Sequence, residues 1–438
     1  MSNNNDSETL SNNNTKKEVQ KVLPEENILL NNETIDIIGM GCDDETCHFK
    51  PLKLKRRKVT EYDILIEMHF CGVCHSDLHS AAGHNNMLSK PIYPFIPGHE
   101  LAGIVKQIGD KVDKTKFQIG DQIGVGCMVD SCLTCDHCIN NQEQKCKDQI
   151  QTYGSVDISG RARQIPNGRQ TIGGYSNFMV VHEKFAIKIP KTYPLEKAGP
   201  VMCAGITSYE PLIKYGAKPG CNNVGFIGLG GLGVMGVKLA KALGCTCTVI
   251  SRSNSKKELA KSIGADHYIA SSNMEEMRNA QNTFDLIINY IPSQHNYLPY
   301  VKLLKKNEGK IVFVGLHATW AACFVANGYF CKTTPCRSTF IGGIKNTQAV
   351  IDLCDKNRIY PETTLLPVEK LNEIYENLDH SNDKGTRYVL DIKNSLIDYE
   401  QTFNACKTMQ TPNLKPSTGG LNAVNVVKEA LYMKFCCV

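Results

Sequence analysis

A strand, a glycine turn and a helix in immediate succession constrain the fold more than any other feature of the chain. Residues 222–244, NNVGFIGLGGLGVMGVKLAKALG, combine an apolar run, closely spaced glycines and a helical stretch that ends at Gly244. The pattern G-x-G-x-x-G permits a tight turn and a close approach of a pyrophosphate to the helix N-terminus. A purely structural turn is the alternative. We assign the predicted dinucleotide site to Gly228, Leu229, Gly230, Gly231, Leu232 and Gly233.

The end of the next strand indicates which dinucleotide binds. NAD-binding proteins usually carry Asp or Glu about 20 residues after the glycines, where it binds the ribose 2′-hydroxyl. The segment VISRSNSKK, residues 249–257, offers hydroxyl and cationic side chains instead, and the first carboxylate after it is Glu258. These groups suit a 2′-phosphate, so the sequence predicts NADP(H); a solvated basic loop is the alternative. The residues assigned to this phosphate are Ser251, Arg252, Ser253 and Lys256.

The order of apolar runs predicts an α/β protein with two kinds of domain. From about residue 35 to 195, short strands are broken by Gly and Pro, which is typical of a folded-over β domain. After residue 197, strands alternate with helices, which predicts a doubly wound parallel sheet covered on both faces. Residues 1–34 are rich in Asn and poor in apolar residues, so we expect them to be disordered. Residues 397–438 are interpreted as a C-terminal extension.

Composition limits the classes of function. The chain has 438 residues and a net charge of +5, which gives no reason to expect nucleic-acid or anionic-membrane partners. The basic run KLKRRKV at 53–59 is interpreted as a solvated strand edge. No apolar run reaches the roughly 18–20 residues that cross a bilayer, and the polar N-terminus lacks the features of a secretory signal. We therefore expect a cytoplasmic protein whose twenty cysteines are mostly reduced.

Four cysteines within SCLTCDHCINNQEQKC, residues 131–146, have the spacing of a metal site. Cys-x2-Cys-x2-Cys-x7-Cys can surround one ion tetrahedrally, and a zinc held by four thiolates has no open position and is structural. An iron–sulfur cluster is an alternative from spacing alone. A zinc finger that binds nucleic acid is disfavoured by the mild charge. The predicted ligands of this structural zinc are Cys132, Cys135, Cys138 and Cys146.

A second group of metal-ligand residues precedes that lobe, in CGVCHSDLH at 71–79 and PGHE at 97–100. A catalytic zinc uses three protein ligands and keeps one position open. Cys74 and His99 are good candidates for two of them. Spacing does not select the third ligand, because four cysteines compete for that role: Cys71, Cys127, Cys203 and Cys221.

Six ordered motifs together resemble the zinc-containing medium-chain alcohol dehydrogenases, and most closely the NADP-dependent cinnamyl alcohol dehydrogenases. They are CGVCHSDLH, PGHE, GVGCMVDSCLTCDHC, VMCAGITSYEPL, GLGGLGVMGVKLAKALG and VISRSNSKKELAKSIGADHYIA. The resemblance covers about residues 35–395. It implies a Rossmann domain inserted in a GroES-like β-rich catalytic domain. The implied boundaries are 35–196 for the catalytic domain, 197–345 for the NADP-binding domain and 346–396 for the return to the catalytic domain.

Carried over to this chain, the resemblance implies a role for each matching residue. Cys74, His99 and Cys203 would hold a catalytic zinc, and Glu100 could act as an alternative ligand. Asp77 matches a carboxylate that orients the histidine ligand. The four-cysteine lobe matches the structural site, so two zinc ions per chain are expected.

The resemblance also implies residues for proton transfer, cofactor contact and substrate contact. Ser76 and His79 match the proton relay, while His75 and Thr207 would contact the cofactor. Plant members of the lignin pathway place Trp where this chain has Gln151, which leaves the aromatic substrate open. From their positions in the sequence, the apolar residues Leu88, Phe340 and Ile341 are predicted to line the rest of the substrate pocket.

These features predict an NADP-dependent zinc alcohol dehydrogenase or aldehyde reductase. The expected substrate is a primary alcohol or its aldehyde, either aromatic of the cinnamyl type or medium-chain aliphatic, and a homodimer is expected. The competing interpretation is a non-catalytic or quinone-reductase-like member that binds NADP and keeps only structural zinc. The presence of Cys74, His99 and Cys203 argues against it, because quinone reductases lack these ligands.

Overall fold

The fold is built on two separate β-sheets of different kinds. The computed structural model describes residues 34–405, except 84–89, 156–169, 218–222, 292, 294, 315–334 and 381–386. Most of the predicted N-terminal extension and the end of the C-terminal one therefore lie outside the described residues. No helix in the described ranges is long and apolar enough to span a membrane.

The first sheet has seven strands and is mostly antiparallel. Its order is β16-β17-β3-β4-β5-β9, with β8 paired to β3, and only β16 and β17 are parallel. Its strands are β3 Asp63–Gly72, β4 Glu100–Ile108, β5 Gln122–Val125, β8 Phe178–His182, β9 Ile187–Lys188, β16 Thr363–Pro367 and β17 Arg387–Asp391. Two small antiparallel sheets accompany it, formed by β1 Thr34–Gly41 with β2 Lys50–Arg57, and by β6 Met128–Asp130 with β7 Ile150–Gln151.

The second sheet has six strands, all parallel, in the order β12-β11-β10-β13-β14-β15. Its strands are β10 Asn223–Ile227, β11 Thr246–Ser251, β12 His267–Ala270, β13 Leu286–Asn289, β14 Lys310–Val314 and β15 Cys336–Thr339. Neighbouring residues Phe226 and Ile227 belong to core clusters on opposite faces. The central strands β10, β13 and β14 are buried on both faces and are therefore nearly continuous apolar runs, whereas the edge strand β15 (CRST) is polar and only partly buried. The predicted fold class is confirmed.

The helices of the described residues lie between and around these sheets. They are α1 His75–Ala81, α2 Asp136–Ile139, α3 Ala198–Pro200, α4 Ile206–Lys214, α5 Gly231–Ala242, α6 Lys257–Ser262, α7 Met274–Asn279, α8 Leu298–Val301, α9 Ile344–Asn357, α10 Leu371–His380 and α11 Ile392–Ala405. A π-helical turn, Val201–Gly205, joins α3 to α4. The helix α11 continues through the boundary predicted at 396/397.

The chain returns to the first sheet after the parallel sheet is complete. Strand β17 lies antiparallel to β3, with Leu390 opposite Cys71 and Val389 opposite Gly72. The segment that follows the Rossmann domain thus contributes strands next to the CGVCHSDLH motif. Strand β3 therefore pairs with β17, β4 and β8. These pairings fix the position at which α1 starts.

The interpretation of residues 53–59 as a solvated strand edge is wrong for two arginines. Arg56 and Arg57 in β2 are each only 6% exposed. Arg57 pairs with the fully buried Asp63, and Nη2 lies 2.9 Å from Oδ1. Arg56 donates to the carbonyls of Ile172 (2.8 Å) and Gly173 (3.1 Å). The carbonyls that bind Arg56 lie more than a hundred residues away, whereas Arg57 pairs with Asp63 six residues later, and the basic run by itself indicated neither contact.

Candidate active site

The first element of the site is the turn between β3 and α1. Cys74 is the N-cap of α1, and its backbone N–H donates to Asp77 Oδ2 at 3.0 Å. The Asp at the third helical position thus satisfies an N–H that the helix itself leaves unbonded. This cap fixes the side chains of Cys74 and Asp77 at the buried end of α1.

Four side chains from three distant segments converge beside that end. The ligand atoms of Cys74, His99, Glu100 and Cys203 all lie within 4.8 Å of one another, and all four residues are buried. Glu100 starts β4 and His99 immediately precedes it, while Cys203 lies in the π-helical turn. The Nε2 of His99 is 3.3 Å from the Sγ of Cys203. Two sulfurs and an imidazole in this arrangement suit zinc.

The other cysteines that spacing allowed as the third ligand are not in this group. Cys71 is buried in β3 but contributes no atom to the cluster. Cys127 lies next to the four-residue group, and a hydrogen bond with Cys203 lowers the pKa of the Cys127 thiol. Cys221 lies outside the described residues. Within the described chain, the geometry therefore selects Cys203.

Asp77 orients the imidazole of His99. The Nδ1 of His99 lies 2.8 Å from Asp77 Oδ1, so Nδ1 carries the hydrogen and Nε2 presents its lone pair to the cysteine sulfurs. A carboxylate on the far nitrogen is the usual way in which a protein fixes a metal-binding histidine. The hydroxyl of Tyr153 is also close to Nδ1, at 3.2 Å.

Glu100 has one paired and one unpaired oxygen. Its Oε1 accepts from Nη1 of Arg387, in β17, at 2.8 Å. Its Oε2 is buried and has no hydrogen-bond partner among the described residues. Burial raises the pKa of this carboxyl to about 7, although the charge of Arg387 opposes the shift. An unpaired buried oxygen next to His99 fits a carboxylate that can approach a metal ion.

The four-cysteine lobe brings its sulfurs together around one point. Their Sγ atoms lie within 4.8 Å of one another, with Cys135 to Cys138 at 3.6 Å and Cys132 to Cys138 at 3.8 Å. Zinc with Zn–S bonds of about 2.3 Å separates its sulfurs by about 3.8 Å. The backbone N–H of Cys135 donates to the Sγ of Cys132 at 3.2 Å, which favours a thiolate there. The lobe fits a closed structural zinc site.

The glycine turn has the geometry that the sequence predicts. Gly228 follows β10 with φ of +89°, and Gly230 is the N-cap of α5. A Cβ on Gly233 would collide with the carbonyl of Gly228, so only glycine permits this closeness of turn and helix. Lys256 Nζ donates to the carbonyl of Leu229 at 3.1 Å. The basic loop after β11 therefore lies against the turn.

The other predicted cofactor-binding residues lie at the end of β11, in the loop that follows it, and in α4. Ser251 ends β11, and Arg252 and Ser253 are exposed in the loop that follows. Thr207 is buried in the first turn of α4, four residues after Cys203. An exposed Arg beside exposed hydroxyls at the end of a parallel strand fits an anionic ligand approaching from solvent.

Known proteins match both halves of the chain. Residues 60–191 match the family described as Alcohol dehydrogenase GroES-like domain, and residues 231–356 match Zinc-binding dehydrogenase. Mannitol dehydrogenase from Apium graveolens is 40% identical over 83% of this chain and 95% of the relative. Cinnamyl alcohol dehydrogenase 2 from Rauvolfia serpentina is 40% identical over 83% and 96%. The chain belongs to the zinc-binding alcohol dehydrogenases.

A solved structure has the same fold over nearly its whole length. The CAD from Helicobacter pylori, complexed with NADP(H), aligns with a TM-score of 0.71 and 38% identity. The alignment covers 83% of this dehydrogenase and 99% of that chain. The residues beyond the shared part correspond in number to the two extensions.

The predicted relay residues lie on one helix of the dehydrogenase. The Oγ of Ser76 is 3.0 Å from the Sγ of Cys74. One helical turn later, the ring of His79 stacks on that of His75, with centroids 4.8 Å apart and planes inclined by 5°. The helix α1 therefore carries hydroxyl and imidazole groups away from the cysteine and histidine cluster.

A small, mostly apolar cavity is lined by residues of both domains of the dehydrogenase, among them Met202, which immediately precedes Cys203. The lining residues of this cavity are Gly126, Cys127, Met128, Ile187, Met202, Ile206, Ile341, Gly342, Ile344 and Thr347. Phe340 is 41% exposed and is not among the lining residues. Gln151 lies in β7, where its carbonyl accepts from Thr171 Oγ1 at 2.9 Å. Leu88 lies outside the described residues.

Sequence reasoning missed several residues around the zinc cluster. Tyr153 contacts His99, Tyr175 donates to Asp77 at 2.8 Å, and Arg387 pairs with Glu100. Tyr153 lies two residues after Gln151, a position that the sequence assigns to the substrate pocket. Tyr175 and Arg387 carry no local signal, because their partners are 98 and 287 residues away.

Proposed function

We propose that this dehydrogenase transfers hydride between NADP(H) and a primary alcohol or its aldehyde, at a zinc held by Cys74, His99 and Cys203. The observation that carries the proposal is the convergence of these three ligand atoms within 4.8 Å, beside an apolar cavity between the domains. A non-catalytic relative with structural zinc alone would have no need of this second cluster. Two zinc ions per chain follow.

The residues divide the chemistry into binding, orientation and proton transfer. When bound, zinc supplies a Lewis acid and NADP(H) supplies or accepts hydride. Asp77 orients His99 through Nδ1, so that Nε2 would bind the metal, and the unpaired oxygen of Glu100 could offer a further ligand. Met202, Ile206 and Ile341 form an apolar wall of the cavity next to Cys203, and this wall would keep water from a substrate bound there.

A proton leaves or reaches the substrate oxygen through α1. Ser76 is the first group of this relay, because its hydroxyl lies beside the Cys74 ligand. His79, three residues later on the same helical face, accepts the proton and passes it towards solvent. His75 stacks on His79, and we assign it to the cofactor side of this helix.

The cofactor lies along the glycine turn with its 2′-phosphate at the loop after β11. Arg252 provides a planar pair of donors, Ser251 and Ser253 provide hydroxyls, and Lys256 provides a second charge. Lys256 already contacts the turn through Leu229. Thr207 contacts the cofactor from α4. No carboxylate occupies this loop to favour NAD.

The substrate is an aromatic aldehyde of the cinnamyl type or a medium-chain aliphatic one. The cavity lining is apolar apart from Cys127 and Thr347, and it offers no charged group to a substrate. Cinnamyl alcohol dehydrogenases and mannitol dehydrogenases are both among the relatives at about 40% identity. An apolar wall favours the first of these substrate classes over a polyol.

A panel of substrates tests the proposal. Purified protein with its zinc content measured is mixed with NADPH and cinnamaldehyde, benzaldehyde, hexanal, mannose or a quinone, and loss of NADPH is followed. We expect the highest kcat/KM for an apolar aldehyde, and much lower values with NADH. Reduction of quinones alone, or a protein that holds one zinc and reduces none of these, refutes the function.

The assembly and location are part of the same proposal. A homodimer in the cytoplasm is expected from the resemblance and from the many reduced cysteines. None of the fourteen described cysteines forms a disulfide. Light scattering on the eluted protein gives the oligomeric mass, and cell fractionation gives the compartment.

A further inference from the structure

A chain of buried hydrogen bonds runs from the candidate catalytic zinc site to a helix near the end of the described chain. His99 Nδ1 lies 2.8 Å from Asp77 Oδ1, and Asp77 Oδ2 lies 2.8 Å from the hydroxyl of Tyr175. That hydroxyl lies 3.0 Å from the hydroxyl of Tyr375. At most 5% of the surface of any of these residues is exposed. Neither tyrosine touches the substrate cavity.

The direction of each hydrogen bond follows from the donors available. Nε2 of His99 faces the cysteine sulfurs, so Nδ1 is the ring nitrogen on the side of Asp77. Nδ1 therefore carries a hydrogen and donates it to the Asp77 carboxylate. The same carboxylate accepts two backbone N–H groups, those of Cys74 and Gly98. An ionised carboxylate is an acceptor only. Tyr175 therefore donates to Asp77, and Tyr375 donates to Tyr175.

Tyr175 is packed directly on the backbone that carries His99. A Cβ on Gly98 would lie 2.6 Å from Cδ1 of the Tyr175 ring, and Gly98 has φ of +106°. The backbone N–H of Tyr175 donates to the carbonyl of Pro97 at 3.1 Å. Only glycine at position 98 gives both this conformation and this approach. The ring of Tyr175 is therefore held in place independently of its hydroxyl.

Tyr375 is delivered by α10, after the whole parallel sheet has been completed. Asn372 anchors this helix by donating to the carbonyl of Phe49 at 3.0 Å and accepting from its N–H at 2.9 Å. The rings of Phe49 and Tyr375 are 5.2 Å apart. The return segment thus contributes a hydroxyl to the network behind a metal ligand located 276 residues earlier in the chain.

We infer that Tyr175 and Tyr375 are positioning residues for the catalytic zinc, acting in series through Asp77 on His99. Each hydroxyl limits the rotation of the group that it donates to, so the imidazole is already oriented when the ion arrives. The inference rests on the proposed function, because it presumes zinc at Cys74, His99 and Cys203. Groups behind a metal ligand commonly contribute about 10–100-fold in metal affinity.

Zinc release provides a test that does not depend on turnover. The holoprotein is mixed with a chromogenic chelator, and the two ions are followed as separate phases. The variant Cys74→Ser identifies the phase of the catalytic ion. We expect Tyr175→Phe to accelerate that phase by about tenfold, and Tyr375→Phe to accelerate it less, because it acts one bond further away. The phase of the four-cysteine lobe should not change.

A matched control separates positioning from general loss of stability. Tyr193 is 1% exposed, and its hydroxyl donates one hydrogen bond, to the carbonyl of Ile359 at 2.9 Å, in another core cluster. Tyr193→Phe removes a comparable buried hydrogen bond and should leave both phases unchanged. Because the tyrosines act in series, Tyr375→Phe should add nothing in the Tyr175→Phe background.

Each outcome gives a clear decision. Selective release of the catalytic ion, with no further effect in the double variant, supports the inference. Equal effects of Tyr175→Phe and Tyr193→Phe, or an undiminished effect of Tyr375→Phe in the double variant, overturn it. A wild-type protein that binds only one zinc refutes the proposed function itself, which distinguishes the two failures.

Discussion

The hydroxyl of Ser76 lies 3.0 Å from the sulfur of Cys74, two residues earlier in the chain. The contact exists because Cys74 caps the helix on which Ser76 occupies the second position. The first turn of the helix thereby places the Ser76 hydroxyl, which can both donate and accept a proton, beside a proposed metal ligand. This closeness is the structural basis of the proposed relay.

Ser76→Ala should lower turnover at neutral pH while both zinc ions and NADPH affinity persist. General acid–base positioning is worth roughly 10²–10⁴ in rate. The loss in alcohol oxidation should diminish at high pH, because hydroxide then replaces the missing path. Ser76→Thr keeps a hydroxyl and should restore much of the rate. Wild-type turnover of Ser76→Ala, with hydride transfer shown to limit the rate by a deuterium isotope effect, excludes the relay.

The two zinc sites should separate by their effects on stability and activity. Cys135→Ser should remove one ion and lower the unfolding midpoint strongly, since structural zinc contributes folding free energy directly. Cys74→Ser should remove the other ion and abolish turnover with a small effect on unfolding. Metal analysis and thermal unfolding give both readouts. Cys47→Ser, which changes a half-buried cysteine outside both clusters, is the control and should keep two ions.

The loop after β11 should determine cofactor preference. Arg252→Ala should weaken NADPH binding by roughly tenfold to a hundredfold, because a charge-assisted hydrogen bond is worth about 1.5–3 kcal/mol. Use of NADH should change little, since NADH lacks the phosphate. Ser251→Asp should shift the preference towards NADH by repelling the phosphate and accepting from a free 2′-hydroxyl.

The measurement is the ratio of kcat/KM for NADPH and NADH in wild type and each variant. Lys257→Ala changes an exposed cation next to Lys256 and should leave the ratio nearly constant. A wild type that prefers NADH, or an unchanged ratio in Arg252→Ala, contradicts the assignment of this loop.

Glu67 should make the unfolding of the catalytic domain depend on pH. Burial alone would raise the pKa of this carboxyl, but His69, Lys393 and Lys106 outweigh it and lower the pKa from 4.5 to about 2. The stabilisation is therefore complete above about pH 4.5 and is lost as the pH falls through about 2. Glu67→Gln should cost about 1–2 kcal/mol at pH 7 and progressively less below pH 4.5.

Urea unfolding of wild type and Glu67→Gln over this pH range measures that difference. The exposed pair of Glu61 and Lys111, 2.6 Å apart, offers a control. Glu61→Gln should show no comparable cost at neutral pH, because solvent screens an exposed pair. A cost for Glu67→Gln that stays constant from pH 7 to pH 3 is inconsistent with the ion cluster.

Glu143 should link the four-cysteine lobe to the far side of the cavity. This buried carboxylate accepts from the N–H of Ile344 at 3.1 Å, at the start of α9 and three residues after Ile341. A negative charge there also complements the helix dipole, so Glu143→Leu should cost about 1–3 kcal/mol and raise the KM for aldehyde. Glu143→Gln keeps an acceptor and should cost less. Equal effects of both variants on KM and unfolding contradict this role.

Local sequence patterns were sufficient wherever a structure is made by neighbours in the chain. The alternation of strands and helices predicted the parallel sheet, because its central strands are buried on both faces and are apolar along most of their length. The turn from Gly228 to Gly233 depends on backbone freedom that only glycine has. The four cysteines of the lobe lie within fifteen residues, so their spacing alone indicated one metal ion.

Only the tertiary structure decided contacts between distant segments. Spacing left the third ligand open, and Cys203 is selected because a π-helical turn places it 3.3 Å from His99, 104 residues away. The tyrosine pair behind Asp77 spans 200 residues, and the burial of Arg56 depends on carbonyls more than a hundred residues further on. Periodicity and spacing describe which residues face the same way within one element. They contain no information about which elements meet, since that depends on how the whole chain packs.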